Sequence, residues 1–547
     1  MAKGRGLGGR LGDTRSAASG LSRHWVFVLL ILCGSVLRAV VTLAYQPALF
    51  YSDSADYLLH AYSLRLSSWH PPGYSVFLRV VLSTGTLAAV PITQHLIVLG
   101  SSILLYASLM RLGVRTQLAG LACAPLLADA YQLQIEQYML SEALFEALII
   151  CMVATLLWSP CLTKRRVVLT GLLLGAAAVV RLDAIGLMLP VVGFAVARRV
   201  AWRRTVALLA IAAIPLLGIA SLRATEGAGF SITGGMGGIW LYGRVAPFAN
   251  CSIAQIPYQE KRLCPAQPLG KRPGTSWFEN ARYSPARLVR AGRVPSSGEL
   301  SDFARRIIVA QPLGYLRAVI DSFASQFRLT RSQAAGGPTV EPWIFATSAG
   351  ARDRYSPNPE SMVAPYGGPG PKLNLALAEW LRRYQRWAYT PGPVMAICLL
   401  IALAGLYHPV RASHRQMGVA LLAGLGVIVV LAATATVEFT WRYVLPSLVL
   451  LPCAAVLSTG SGIISGAVAR HVCPMGRAGA GASPAGADRE TGPVSERLRV
   501  RQIDDDEGSR LPSSPRMRSM LSTASPCSTP RERARHPVSP NRRSRQR

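Results

Sequence analysis

The chain has 547 residues, of which 51% are hydrophobic and only 16% charged, with a mean hydropathy of +0.31 and a formal net charge of +31. The apolar residues arrive in blocks of roughly 17 to 25, the length that crosses a bilayer core, which excludes an ordinary soluble domain. The positive charge sits in short clusters beside those blocks and in the C-terminal tail, without interleaved aromatics. It therefore reads as topology-setting charge plus a basic tail, and no nucleic-acid partner is expected.

The basic start (Arg5, Arg10, Arg15, Arg23) leads into an apolar stretch from Trp25 to Tyr45. That stretch is too long for a signal-peptide core and lacks a small-residue cleavage site, so it reads as a first transmembrane helix. Further apolar stretches run over 86–109, 117–128, 139–158, 167–180, 184–197, 205–222, 393–408, 416–436 and 443–465. Arg111 and Arg115, then Lys164, Arg165 and Arg166, then Arg198, Arg199, Arg203 and Arg204, then Arg411 and Arg415 fall in every second connection. Positive connections are cytoplasmic, which puts both termini there. The connections 46–85, 129–138, 181–183, 223–392 and 437–442 then face outward.

The expectation is an all-α polytopic protein of the inner or plasma membrane, with about ten transmembrane helices and a large extracytoplasmic loop region. Its segments are a cytoplasmic N-terminus (1–24), an N-terminal transmembrane module (25–222), an outer loop (223–392), C-terminal transmembrane helices (393–465) and a basic cytoplasmic tail (466–547). The third, fifth and sixth stretches are short for a full span. Within the outer loop, 297–332 carries helical periodicity (Leu300, Phe303, Ile307, then Leu313, Leu316, Ile320) and suits packing on the membrane face. Gly, Pro and Ser dominate 333–371, an irregular cover. The tail is too poor in apolar residues to offset ordering entropy and reads as disordered, with weak attraction to anionic membrane lipid.

Most of the ten cysteines are scattered singly through apolar blocks, where Cys acts as a small hydrophobe. Cys251 and Cys264 share the polar outer loop. In an oxidising compartment they can bridge, closing about 14 residues and contributing about 3 kcal/mol on the chain-entropy account. Two free thiols are the alternative.

The first outer connection holds the densest chemistry: Phe50-Tyr51-Ser52-Asp53-Ser54-Ala55-Asp56-Tyr57-Leu58, then Trp69-His70-Pro71-Pro72-Gly73-Tyr74. Carboxylates three residues apart share a face once a helix has begun. An Asp motif just after the first transmembrane helix, an aromatic, and a His-Pro-Pro segment together resemble the GT-C superfamily of polyprenyl-phosphate-dependent glycosyltransferases. The protein-O-mannosyltransferase and aminoarabinose-transferase branch is the nearest likeness. Tyr138-Met139-Leu140-Ser141-Glu142 resembles that family's second acidic site, Val180-Arg181-Leu182-Asp183 its Arg-Pro turn, and Trp441-Arg442-Tyr443-Val444-Leu445-Pro446 its late Arg-Tyr motif. Two departures stand out. Asp53 and Asp56 are separated by Ser54-Ala55 where members often carry adjacent acids, and Leu182 replaces Pro.

The resemblance implies an enzyme that moves a sugar from a polyprenyl-phosphate donor to the hydroxyl of an extracytoplasmic glycan or protein acceptor, by inversion. Asp53 and Asp56 would be the catalytic carboxylates, because the acceptor proton must be taken as C1 gains oxocarbenium character. Arg181 and Arg442 would meet the departing phosphate, where negative charge grows. Glu142, His70, Arg244 and Tyr443 are further substrate-binding candidates. Structural readings stand beside these: an N-cap for the aspartates, a loop-orienting role for His70, snorkelling for Arg442, a packed lid around Trp240, Tyr242 and Arg244. Arg38, inside the first helix, is expected to pair with an internal carboxylate. Asp129 and Glu136 have no assigned role. No Cys/His ligand cluster or phosphate-binding Gly loop stands out, so no metal is assigned, although a divalent cation at Asp53 and Asp56 is compatible with the sequence. The competing readings are a multi-span transporter or lipid flippase, which calls for repeated halves and midplane polar groups, and a non-catalytic envelope scaffold.

Overall fold

A backbone surrounded by hydrocarbon must satisfy its own hydrogen bonds, and the apolar blocks accordingly fold as helices. The computed structural model describes residues 22–459, apart from 64, 228, 289–292, 334–338, 356–357, 367–369 and 408–413. The tail 466–547, most of the N-terminal segment and Arg411 lie outside the described residues.

Helix α1 (Trp25–Ala44) runs into a short strand, β1 (Tyr45–Gln46). Helices α2 (Ser52–Ser63) and α3 (Gly73–Leu82) fill the first connection, and α4 (Ala89–Arg111) follows. Three short helices come next, α5 (Thr116–Ala122), α6 (Ala124–Ala128) and α7 (Ala130–Gln137), then α8 (Glu142–Leu157) and α9 (Lys164–Val180). A 3-10 turn, Leu182–Ile185, leads into α10 (Met188–Ala197) and then α11 (Trp202–Thr225). The long loop carries α12 (Gly237–Val245), α13 (Thr275–Asn280), α14 (Ser297–Ala310), α15 (Pro312–Ala324), α16 (Ala349–Asp353), α17 (Pro359–Val363), β2 (Lys372–Leu373) and α18 (Leu375–Gln385). The chain closes with α19 (Gly392–Leu406), α20 (His414–Thr436) and α21 (Leu445–Thr459). The strands β1 and β2 pair antiparallel, Tyr45 opposite Leu373, and form the only sheet among the described residues.

Among the described residues, five helical segments are long and apolar enough to cross a membrane: α1, α4, α11, α20, and α21 extended back to Trp441. A sixth counts if α14 and α15, bent by 101°, are taken as one. This is an all-α chain of multi-pass membrane type. The gap between five and about ten has a physical origin: a straight helix needs about 20 residues to span hydrocarbon, whereas α8 has 16, α9 17 and α19 15.

The expected outer connection 129–138 is corrected. It is not a loop but a helix packed beside α1, and every residue of α7 is buried. Gly120 lies against Val26 and Phe27, the Leu126 and Leu127 carbonyls accept from Arg38, and Glu136 pairs with Arg38 at 2.7 Å. Arg38 thus has the internal carboxylate partner expected of it. The chain breaks at Asp129, whose carboxylate caps α7 by accepting from the Tyr131 N–H.

The long loop has its own core, with Tyr242, Phe278, Leu300, Phe303 and Ile307 at its centre. A capping box between Ser296 and Glu299 starts α14, and Pro312 opens α15. Cys251 and Cys264 form a disulfide that ties this core. Two close approaches set the first connection in place. A Cβ on Gly73 would lie 2.5 Å from the Val179 carbonyl, so the start of α3 abuts the end of α9. Gly234, at φ +59°, turns tightly enough that a Cβ would meet the Ser68 carbonyl at 2.7 Å.

Candidate active site

The residues that the sequence singles out come from α2, the turn before α3, the start of α8, the turn after α9 and the turn before α21. Asp53 lies in the first turn of α2, with Asp56 and His60 further along the helix. His70 is fixed by its neighbours. The Ser67 hydroxyl accepts from the His70 and Trp69 backbone N–H groups and donates to Asp56 at 2.6 Å, while the buried Arg223 holds the Ser67 carbonyl. The Tyr57 ring packs on the imidazole with centroids 4.5 Å apart.

These groups form one continuous chain of ionisable side chains. His60 Nε2 stands 3.3 Å from Asp56 Oδ1, and His70 Nδ1 is 2.7 Å from Asp56 Oδ2. His70 Nε2 is 3.7 Å from Asp53 Oδ2, an ion-pair distance rather than a hydrogen bond. Arg442 Nη1 donates to that same oxygen at 2.6 Å, and its Nε lies 3.5 Å from Glu142 Oε1. Arg181 Nη1 donates to Glu142 Oε1 at 2.8 Å and its Nη2 to Asp183 Oδ2 at 2.6 Å. Residues up to 389 positions apart along the chain are thereby joined.

Aromatic faces line the arginines, whose planar, weakly hydrated guanidinium suits stacking. Arg442 Cζ sits 5.4 Å from the Tyr51 ring centre, 5.7 Å from Trp343 and 5.2 Å from Tyr443. Arg181 lies 4.7 Å from Tyr443. Trp343 arrives from the Gly/Pro-rich part of the long loop, anchored where the Pro342 carbonyl accepts from Tyr138 and Gln134. Glu142 is buried at 3% exposure, and its Oε2 has no hydrogen-bond partner. Asp53 keeps 16% of its side chain exposed.

The electrostatics follow from this crowding. Burial alone would raise the Asp53 carboxyl, but the Arg442 guanidinium and His70 overcome it and hold the group well below the usual carboxylate range. Burial also works against ionised Asp56, and His70, Ser67 and His60 together bring it down. For His70, burial favours the neutral ring, yet the two flanking aspartates raise the imidazole to about 9. At neutral pH it is an imidazolium between two carboxylates.

Asp53, Asp56, His70, Glu142, Arg181, Arg442 and Tyr443 are brought together, and Arg244 is not. Arg244 is buried in the loop region, where it donates to the Ser322 hydroxyl. Tyr242, fully buried beside it, donates to the Leu263 carbonyl. Sequence reading missed Asp183, Tyr51, Trp343 and His60 as members of the cluster. Asp183 and Tyr51 stand two residues from Arg181 and Asp53, and His60 lies one helical turn beyond Asp56. Trp343 had no local signal.

A divalent cation at Asp53 and Asp56 would have to compete with side chains already bound to them. The guanidinium of Arg442 and the imidazole of His70 hold the Oδ2 atoms, while Asp53 Oδ1 accepts from the Ser52 hydroxyl at 3.2 Å. No set of three His, Cys, Asp or Glu residues among those described is arranged to hold a metal.

No protein-family model matches the chain, and no curated protein matches it in sequence. Among solved structures, ArnT from Cupriavidus metallidurans bound to undecaprenyl phosphate is similar at 14% identity, over 79% of this chain and 77% of that one, with a TM-score of 0.30.

Proposed function

We propose that this chain is a GT-C-type membrane glycosyltransferase that moves a sugar from a polyprenyl-phosphate donor to an acceptor hydroxyl on the extracytoplasmic side. One observation carries the reading: Asp53, Glu142, Arg181 and Arg442, distant in sequence, meet in one partly open cluster. The donor's isoprenoid tail stays in the bilayer while its sugar phosphate reaches the ends of the helices.

In this reading Asp53 takes the acceptor proton as the acceptor oxygen bonds to C1. The C1–O bond to phosphate breaks with its electron pair leaving on the phosphate, and Arg442 and Arg181 meet the charge that grows there. Attack opposite the leaving group inverts the anomeric centre. Glu142 orients the two guanidinium groups, since its Oε1 faces both. The imidazolium of His70 keeps Asp53 ionised until the acceptor arrives.

The test supplies a panel of radiolabelled polyprenyl-phosphate sugars to membranes that carry wild type or Asp53→Asn. Transfer should fall by about 100-fold or more in the variant, the scale of losing a general base. Equal transfer removes Asp53 from the role. Transfer from no donor favours the transporter or lipid-flippase reading.

A further inference from the structure

The two guanidinium groups of the cluster are already claimed. Arg181 carries Glu142 and Asp183, and Arg442 carries Asp53 at 2.6 Å with Glu142 at 3.5 Å. Three carboxylates therefore share two arginines, while the remaining cation, His70, is held between Asp53 and Asp56. An incoming phosphate adds further negative charge to a cluster in which, among the described residues, Arg181, Arg442 and His70 each already face a carboxylate. A phosphate that takes the full charge of a guanidinium must therefore compete with a carboxylate for it.

The carboxylates are not equally placed to give way. Glu142 is 3% exposed and faces both arginines. Asp183 is gripped by Arg181 through both Nε and Nη2. Asp53 is held by one Arg442 nitrogen, keeps 16% of its side chain open, and has a second cation at 3.7 Å to fall back on. Arg442 has room to change partner too: its Nη2 reaches only the Tyr443 hydroxyl at 3.4 Å, and its plane rests against the Tyr51, Trp343 and Tyr443 rings. Those faces tolerate a small swing of the guanidinium that an ion-pair lattice would not.

Resting on the transferase reading, we propose that the Asp53–Arg442 pair is a donor-operated latch: the donor phosphate draws Arg442 off Asp53, and only then does Asp53 regain the proton affinity of a general base. The latched state protects the site, because Asp53 cannot deprotonate an acceptor when no donor is present. In the unlatched state Arg442 neutralises the phosphate, His70 remains beside Asp53, and the acceptor proton has a carboxylate to go to. The groups that face Asp53 are Arg442, Tyr51, Tyr57 and His70, with Glu142 and Arg181 behind Arg442 and Asp56 behind His70.

Linkage between the two sites is reciprocal, so removing the carboxylate must help the phosphate. The measurement is binding of a polyprenyl monophosphate, against the matching polyprenol that lacks the phosphate, to full-length protein in detergent. Wild type, Asp53→Asn, Arg442→Gln and the double variant are compared after melting curves verify that each is folded. Asp53→Asn should bind the phosphate about tenfold or more tightly, since a charge-assisted hydrogen bond no longer competes. The polyprenol should bind both alike, and Arg442→Gln should cancel the gain. Equal or weaker phosphate binding by Asp53→Asn overturns the latch and leaves the transferase reading standing. No phosphate binding by any form overturns both.

Discussion

The convergence of Asp53 and Arg442 can be tested without any substrate, through a double-mutant cycle on stability. Their side chains are 16% and 13% exposed and 2.6 Å apart. Removing one partner of a buried pair strands the other, at a cost of about 3–5 kcal/mol. Arg442→Met leaves Asp53 with His70 at 3.7 Å and the Ser52 hydroxyl at 3.2 Å, and should cost about 3 kcal/mol, the lower end because the site is not fully dry. Asp53→Asn is milder, because Arg442 keeps Glu142 at 3.5 Å, and the loss is one charge-assisted hydrogen bond of about 1.5–3 kcal/mol. The double variant strands nothing, so it should cost about 1.5–2.5 kcal/mol less than the sum of the singles, within the usual range for contacting residues. Unfolding by denaturant in detergent, followed by tryptophan fluorescence, reads all four corners. Costs that add to within about 0.5 kcal/mol would show that the two side chains do not touch, and the cluster would come apart with them.

The Cys251–Cys264 bridge spans 13 residues of separation, so Cys251→Ser with Cys264→Ser should lower the stability of the loop core by about 3 kcal/mol. Faster proteolysis of the loop in the variant is the readout, and an unchanged rate would refute it. Glu438, at the end of α20, is pushed up to about 7 by burial, against the pull of a backbone N–H at Ser276 and of Arg244. The folded state then binds more protons than the unfolded state between about 4.5 and 7, so stability is fully present below about 4.5 and falls as pH rises through 7. Glu279, raised by burial and by Glu438, adds to the same trend. Glu438→Gln should flatten the dependence of the unfolding midpoint over that window, and parallel curves for variant and wild type would count against the assignment.

Helices were legible wherever residues were uniformly apolar, because hydrocarbon-facing backbone has few alternatives. The segment after Asp129 failed that test for a definite reason. Gln132, Gln134, Glu136 and Gln137 look like a solvated loop by composition, yet each polar group has a partner. Gln132 donates to Glu146, Gln134 to the Pro342 carbonyl, Glu136 accepts from Arg38, and Gln137 donates to the Tyr45 carbonyl. Hydropathy scores a residue, whereas burial depends on the pair, and the partners here lie as much as 208 positions away. Arg331 and Asp129, paired at 2.8 Å, escaped notice the same way.

The cluster itself was legible for the complementary reason. Ionised side chains at the ends of apolar helices are costly without partners, so Asp53, Glu142, Arg181 and Arg442 each implied an opposite charge nearby. What could not be read was which pairs with which. Arg442 stands one residue from Trp441, whose ring faces Arg331 at 5.6 Å, while its own guanidinium turns to Asp53. That choice is made by the turn at 441–444 and by Trp343 arriving from a segment without periodicity. Trp343, from that segment, packs against both Arg442 and Tyr51. An aromatic wall around a cation must be assembled from several directions, so its sequence trace is scattered residues with no common spacing.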